Sequence, residues 1–279
     1  MKTSDIKKIQ KAQLYIMDQI HNLSVKYGLK YYLIGGSAIG AVRHKGFVPW
    51  DVDIDIAMPR EDYNRLIELG SQNFPSDIEI YSHINNPFLL SPHILVVLKG
   101  STLTFKNDKL NPQIKREGIY VDVLPLDKVP KDRTHRERQR QCLLILRKLM
   151  EFRMMMNYDS DSKLKKILKK IIIPILYKIP MALITSKQQK VSQWGNFQSE
   201  YSEICSMLSH YKYDKLCMPK EWFGQPKLMK FEGREYFVPT EVHLYLQKLF
   251  GNYMKLPSKE EQLKYQNIIE SAEFEISEI

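Results

Sequence analysis

Hydrophobic and polar positions recur with two different periods along the first 130 residues. Residues 4–27 carry apolar side chains every three or four positions, which predicts a helix that begins near Ser4 and ends at Gly28. Residues 51–58, with the sequence DVDIDIAM, alternate strictly and predict a strand. The same reasoning predicts short helices over 37–44 and 60–69, and strands over 31–34, 78–81, 94–98, 102–106 and 119–124. This part of the chain is therefore expected to be mixed α/β.

The second half of the chain has a different pattern. Residues 132–158 and 162–173 are long, basic and helical in period. Beyond them, we predict a hairpin over 227–238 and a helix that Thr240 caps. A boundary near residue 130 would divide the chain into an α/β domain, 1–130, and a mainly helical region that packs on it, 131–279.

Three aspartates, Asp51, Asp53 and Asp55, occupy alternate positions of the predicted strand. Side chains two apart on a strand face the same side, so these carboxylates would crowd together while Val52 faces the core. Crowded carboxylates repel one another and resist ionisation in a partly dry site. A divalent cation removes that conflict, and Mg²⁺ takes carboxylates together with phosphate oxygens and water. The row therefore predicts a site for one or two magnesium ions. The alternative is a solvated strand face, which rarely carries so many aspartates.

A glycine-rich turn precedes this strand. Gly35, Gly36 and Ser37 lie where a predicted strand meets a helix start, so backbone N–H groups and a hydroxyl can approach an anion. Alone, such a sequence usually marks only a tight turn, but together with the aspartate row it predicts a phosphate site. Asp122 lies on another alternating strand, where it could complete the metal site or take a proton from an attacking hydroxyl. The alternative for Asp122 is a surface carboxylate.

Five further side chains are candidates for substrate contact. Arg43, His44 and Lys45 form a basic triplet between the glycine turn and the aspartate row. Arg43 suits a forked contact with phosphate, Lys45 a point charge, and His44 either the same role or a cap for the short helix. Trp50 is a candidate for cation–π contact with a cationic head group, and Lys99 lies at the end of a predicted strand. The alternatives are a solvated basic turn and, for Trp50, loop packing.

Composition narrows the classes of partner. The chain has 279 residues, of which 43% are hydrophobic, enough for one large core or two small ones. Its formal net charge of +10 favours anionic partners: a nucleotide substrate, nucleic acid or an anionic membrane surface. The three cysteines lack metal-site spacing, and the sequence shows neither a secretory signal nor an apolar run of 18 residues. We therefore expect a cytoplasmic protein.

The order of the motifs resembles a known superfamily. A strand, Gly-Gly-Ser, a short helix, an Asp-x-Asp strand and a later strand aspartate are similar to the nucleotidyltransferases. Within them, GAVRHKGFVPWDVDIDIAMPREDY at 40–63 looks like the LicD family of phosphotransferases, as do GIYVDVLPLDKVP at 118–130 and FEGREYFVPTEVHLYLQKLFGNYMKLP at 231–257. Residues 131–215 carry no motif of this family. The resemblance implies a nucleotidyltransferase-like mixed sheet.

Members of the LicD family are similar in moving a phospho-substituent from a nucleotide-diphosphate donor onto a glycan. The resemblance implies Mg²⁺-dependent transfer of phosphocholine from CDP-choline to a lipid-linked precursor of teichoic acid or lipopolysaccharide. It also implies that Asp53 and Asp55 form the metal pair, with Asp51 beside them and Asp122 as a further carboxylate. The family often has three consecutive aspartates after the tryptophan, whereas Val52 occupies the middle position here. Glycerol phosphate or ribitol phosphate therefore stays open as the transferred group.

Other functions also stay open at this point. A nucleotidyltransferase that adds a nucleoside monophosphate to a small molecule or RNA would use the same motif. A nucleic-acid-binding module would interleave aromatic and basic side chains on a sheet face, but the densest basic region, 131–170, is predicted to be helical with few aromatics, so we expect no nucleic acid. Lysines beside the apolar run at 163–190 predict peripheral contact with the inner face of the plasma membrane, with a core helix as the alternative.

Overall fold

One curled mixed sheet organises the part of the chain that the computed structural model describes, residues 3–86, 89, 91–105, 117–154, 178–266 and 269–273. The described strands, in chain order, are β1 (Tyr32–Leu33), β2 (Asp55–Pro59), β3 (Ile78–Tyr81), β4 (Ile94–Phe105), β5 (Glu117–Lys128), β6 (Glu203–Cys205), β7 (Cys217–Pro219), β8 (Lys227–Phe231), β9 (Arg234–Val238) and β10 (Ile269–Glu273).

The sheet runs in the order β1-β2-β5-β4-β10. Strand β3 pairs with β4, and β6 pairs with both β5 and β7, while β8 and β9 form a separate hairpin. Only the β2–β5 pair is parallel among these described pairs. The mixed α/β prediction is therefore confirmed, and the parallel pair carries two of the predicted site aspartates.

Helices occur along the whole described chain. They are α1 (Thr3–Tyr27), α2 (Gly35–Ile39), α3 (Arg60–Asn73), α4 (Arg133–Met154), α5 (Met181–Ser192), α6 (Tyr213–Leu216), α7 (Val242–Phe250) and α8 (Lys259–Gln266). A π-helical turn, Gly40–His44, continues α2. The apolar stripe of α1 packs into the core, where Ile9, Ile16 and Ile20 are fully buried. The long helix predicted over 4–27 is confirmed.

The C-terminal half differs from the prediction, because it is not clearly mainly helical. Its described residues contain five strands, and β6 and β10 pair with strands that precede residue 130. Strands of three residues show too little alternation to be recognised in sequence, and their pairing partners define them instead. The division of the chain near residue 130 stays a prediction.

Two other expectations concern this half. Thr240 does not cap α7, because its hydroxyl donates to the Gln225 carbonyl at 2.7 Å. Most of the predicted membrane contact, 163–177, lies outside the described residues, and that contact also stays a prediction. Over the described ranges, every helix is too short or too polar to cross a bilayer.

Candidate active site

The aspartate row enters the sheet from an irregular segment. Strand β2 begins at Asp55, so the strand predicted from Asp51 was placed too early. Two glutamine side chains of α1 hold the segment before it: Gln10 donates to the Asp51 carbonyl at 2.9 Å, and Gln13 donates to the Val52 carbonyl at 2.8 Å. Side-chain donors thus replace the strand partner that this polar segment lacks.

The parallel pairing of β2 with β5 brings distant aspartates together. Asp55 and Asp122 are register partners, so both side chains leave the same face of the sheet. The Ser37 hydroxyl accepts a hydrogen bond from the Asp55 N–H at 2.9 Å and thereby fixes the start of β2. On the other side of the turn, the Gly35 N–H donates to the Tyr245 hydroxyl at 3.0 Å. The glycine turn and the two aspartates are therefore one connected unit.

Burial makes ionisation of these carboxyls unfavourable. Burial raises the pKa of Asp53 well above its ordinary value, and the charges of Asp51 and Asp55 raise that pKa further. Burial also raises the pKa of Asp55, with Asp122 and Asp51 adding to it. The pKa of Asp51 is raised by burial, although hydrogen bonds from Asp53 and from the Val52 N–H oppose that rise. The chain therefore concentrates acidic groups that a cation would allow to ionise together.

Two cavities meet at Asp53 and Asp55, which line both. Cavity A has a volume of about 320 Å³, and cavity B about 970 Å³. Cavity A is defined here by His93, Asp122, Gln188, Ser206 and Tyr245. Cavity B is defined by Gly36, Arg43, Trp50, Asp51 and Phe250. His210 and Tyr211 also line both cavities. Two compartments that join at half-buried carboxylates suit a reaction between two substrates.

The basic candidates from the sequence are only partly brought to these cavities. Arg43 lines cavity B, but its guanidinium already donates to the Tyr253 carbonyl and, at 2.9 Å, to His44 Nε2. Lys45 is exposed and lines neither cavity. Lys99 is also exposed and lines neither cavity, and its contact with substrate stays a prediction.

Trp50 lines cavity B and is mostly buried. Its ring meets the His44 ring edge to face, with centroids 6.1 Å apart. Burial and the neighbouring Arg43 charge lower the pKa of His44 below its ordinary value, which favours the neutral ring. This arrangement agrees with loop packing for Trp50 and leaves part of its surface on the cavity.

His93 is a site residue that sequence reasoning missed. Its Nε2 lies 2.7 Å from Asp122 Oδ1, and both side chains line cavity A. The two side chains are 14% and 17% exposed, so the contact is sheltered from solvent without being sealed. Antiparallel pairing of β4 with β5 places Leu95 opposite Asp122. His93 directly precedes β4 and therefore lies at the same end of the sheet as Asp122. Only the pairing of two strands distant in sequence could have revealed the contact.

The carboxylates fit a magnesium ion that the substrate helps to coordinate. In the described ranges, no three His, Cys, Asp or Glu side chains make a complete metal cage. Mg²⁺ needs fewer protein ligands, since one or two carboxylates suffice beside phosphate oxygens and water. Asp53 and Asp55 provide two such carboxylates at the junction of the cavities, and Asp122 stands across from Asp55.

The comparisons with known proteins agree with this arrangement. The family model for the LicD/FKTN/FKRP nucleotidyltransferase domain matches residues 28–141, a range that contains every site residue predicted from the sequence. Over 271 residues, the chain is 29% identical to the lipopolysaccharide cholinephosphotransferase LicD of Haemophilus influenzae, covering 94% of this chain and 96% of that protein. The chain carries a LicD-family nucleotidyltransferase domain.

A shorter similarity links this LicD-family chain to a second activity. Over 42 residues, it is 43% identical to the ribitol 5-phosphate transferase FKRP of Homo sapiens, which is 15% of this chain and 8% of that protein. Over 57 residues, it is 43% identical to an uncharacterised protein of Rickettsia prowazekii, 20% of this chain and 21% of that protein. These short matches cover 15–20% of the chain, whereas the first relative covers 94% of it.

The glycine turn of the LicD-family domain should tolerate no side chain at Gly36. A Cβ added there would lie 2.2 Å from Asp51 Oδ2, so Gly36→Ala must displace the Asp51 carboxylate. We expect a loss of about 1–3 kcal/mol in the free energy of unfolding, as for other overpacked sites, measured by urea denaturation. The double variant Gly36→Ala with Asp51→Gly should recover most of that loss, because it removes the clashing atoms. Additive effects of the two substitutions would contradict this contact.

Proposed function

We propose that this LicD-family transferase moves phosphocholine from CDP-choline to a hydroxyl of a cell-surface glycan precursor. The observation that carries the proposal is the junction of two cavities at Asp53 and Asp55, opposite Asp122. Support for choline as the head group comes from the relative from Haemophilus influenzae, which matches over nearly its whole length. The glycan acceptor is part of the proposal because that relative is a lipopolysaccharide cholinephosphotransferase.

Cavity B suits the donor. It is the larger space, it adjoins the glycine turn, and Arg43 gives it a cationic edge. Its aromatic side chains, among them Trp50, Phe250 and Tyr253, offer faces for a nucleobase or a quaternary ammonium group. We therefore assign the CDP-alcohol to this space, with its diphosphate directed to Asp53 and Asp55.

Asp53 and Asp55, with Asp122 or Asp51 nearby, would hold Mg²⁺. When bound, Mg²⁺ neutralises the charge of the diphosphate and of the transferring phosphoryl group. Asp122 then acts toward the acceptor: its carboxylate takes the hydroxyl proton as the acceptor oxygen attacks phosphorus. One phosphoanhydride bond breaks, one phosphodiester bond forms, and CMP leaves. His93 fixes one oxygen of Asp122, which orients the carboxylate without consuming its other oxygen.

Transfer of ribitol phosphate is the second candidate. The stretch that is similar to FKRP supports this second candidate. The junction of the cavities does not distinguish choline from ribitol as the head group. The two candidates differ in the donor alone, so they require the same aspartates.

A panel of donors tests the proposal. The protein is incubated with Mg²⁺ and CDP-choline, CDP-glycerol or CDP-ribitol, and CMP is quantified by chromatography. We expect CMP from CDP-choline at the highest rate, with a further rise when a glycan acceptor is present. Asp214→Asn, a change at an exposed aspartate outside both cavities, serves as the control and should keep the wild-type rate. Pyrophosphate from CTP without turnover of any CDP-alcohol would favour nucleotidyl transfer instead.

A further inference from the structure

Unpartnered polar atoms are concentrated around cavity A. His93 Nδ1, Gln188 Oε1 and Ser206 Oγ are buried and have no hydrogen-bond partner within the described part of the chain. Gln188 and Ser206 are 4% and 6% exposed, so solvent at the surface does not satisfy them. The other described atoms in this condition belong to Gln13 and Ser24 of α1, which do not line the cavity. Because buried polar groups are nearly always bonded, these atoms require partners from outside the chain, either a ligand or water.

We propose that cavity A binds a polyhydroxylated group, and that this group is the sugar or polyol acceptor of the transfer reaction. The role of this group as the acceptor rests on the proposed function, whereas the binding of a polyhydroxylated group to cavity A does not.

The chemistry of the three atoms selects hydroxyl groups. Gln188 Oε1 only accepts hydrogen bonds, the Ser206 hydroxyl both donates and accepts, and the free His93 nitrogen does one or the other according to its tautomer. A sugar hydroxyl donates and accepts, so several of them can satisfy all three positions. A quaternary ammonium group has no N–H to offer Gln188, and an ionised phosphate has no donor either.

The position of the cavity makes the ligand a reactant. Asp53, Asp55 and Asp122 line the same space, so a group held by Gln188 and Ser206 lies beside the reacting carboxylates. Leucine and methionine side chains, including Leu124, Leu126 and Met207, form much of the remaining wall and suit the C–H faces of a sugar ring. One hydroxyl can then approach Asp122 while its neighbours bond to the unpartnered atoms.

The origin of these residues suggests what selects the acceptor. Gln188 lies on α5 and Ser206 directly follows β6, and both are outside residues 28–141, the range that the family model matches. The aspartates and the glycine turn lie inside that range. The reacting aspartates thus come from the shared domain, and two of the three acceptor contacts, Gln188 and Ser206, come from the part of the chain that follows it.

A binding experiment tests the site without requiring turnover. Saturation-transfer NMR is recorded on the whole protein with methyl β-galactoside, ribitol and glycerol as probes. We expect saturation transfer to at least one probe, and Ser206→Ala and Gln188→Leu should each weaken its binding about tenfold, as for the loss of one hydrogen bond. No transfer to any probe, or transfer in both variants equal to that of wild type, would overturn the proposal.

Ser24→Ala is the matched control. Ser24 also carries a buried, unpartnered hydroxyl, but it lies in α1 away from cavity A. Removing an unsatisfied hydroxyl should leave stability unchanged or raised in both serine variants, so thermal melts should not separate them. Only Ser206→Ala should lose probe binding. A matching loss in Ser24→Ala would show that the effect is structural and would overturn the assignment.

Kinetics distinguish the two sources of a polyhydroxylated group, the glycan acceptor and the polyol of a CDP-linked donor. With CDP-choline as donor, both cavity variants should raise KM for the acceptor probe about tenfold and leave KM for CDP-choline unchanged. A rise confined to KM for CDP-ribitol would overturn the assignment to the acceptor. Absence of CMP release from every CDP-alcohol would contradict the proposed function, while the binding result would still decide the site.

Discussion

Replacing Asp53 with alanine is expected to lower CMP release by roughly 10²-fold or more while leaving the metal-free protein at least as stable as wild type. The same result is expected for Asp55→Ala. Both carboxyls are half-buried among other acidic groups, and their raised pKa values mean that ionisation is unfavourable there. Removing one of them relieves repulsion in the absence of metal but removes a contact to the charge of the diphosphate.

Thermal melts with and without ligand separate this account from a structural role. Mg²⁺ with CDP-choline should raise the Tm of wild type, and this rise should vanish in both variants. Asp214→Asn should behave as wild type. If Asp53→Ala melts far below wild type without metal, the aspartate row serves the fold and the site is misassigned.

The pH dependence of stability has a defined sign. Folding raises the pKa of Asp53 and Asp55, so between the ordinary and raised values the folded chain binds more protons than the unfolded chain. The stability of the metal-free protein should therefore fall as pH rises through that range. Asp53→Ala should flatten the fall, and an unchanged pH profile would contradict the raised pKa values.

Asp127→Ala should cause the largest loss of stability, about 3–5 kcal/mol in the free energy of unfolding. Asp127 is fully buried on β5 and binds the Arg60 guanidinium through both oxygens, at 2.7 and 2.6 Å. Gln189 and Ser192 of α5 accept from the same guanidinium, and Asn196 donates to Asp127. Removing the carboxylate leaves a buried cation without its counter-charge.

Urea denaturation with two comparison variants checks the reason for that loss. Glu200→Ala breaks the exposed pair with Lys131, whose side chains are 75% and 85% exposed, and should change stability by under about 1 kcal/mol. The double variant Arg60→Met with Asp127→Leu removes both charges and should be more stable than Asp127→Ala. A loss of similar size in the exposed and buried variants would contradict the role of burial.

Elements with strong local patterns could be predicted from the sequence. Strand β3 matches the predicted 78–81, and the hairpin β8–β9 turns at Glu232 and Gly233, which adopt φ values of 50° and 75°. Local turn chemistry and alternation are sufficient there, because each residue contacts its neighbours in the sequence. The strands predicted at 94–98 and 102–106 are one strand, since Gly100 with φ of 73° lies within a continuous β4.

The site could be predicted where one short motif carries it. Asp53, Asp55 and the glycine turn are close in sequence, so their meeting needed no knowledge of the sheet. His93, Gln188 and Ser206 were missed because they reach the cavity through β4, α5 and β6, elements joined only by tertiary pairing. Their residue types carry no signal in isolation.

Lys99 shows what local alternation leaves undetermined. It was predicted to lie at the end of a strand, whereas it lies inside the continuous strand β4. The antiparallel pairing of β4 with β5 places Leu95 opposite Asp122, whereas Lys99 lies farther along β4 with its N–H donating to the Asp77 carbonyl at 2.7 Å. Sequence alternation gives the face of a residue but not which end of a strand meets the site.

Phosphorus NMR of CDP-choline tests the central claim most directly, because it follows both phosphorus atoms of the donor. With the wild-type protein, Mg²⁺ and a glycan probe, phosphotransfer predicts that the diphosphate signals disappear together, one becoming the phosphomonoester of CMP and the other a phosphodiester on the probe. Asp53→Asn should leave the diphosphate intact. An intact diphosphate with wild type for every CDP-alcohol, while CTP releases pyrophosphate, would contradict the account.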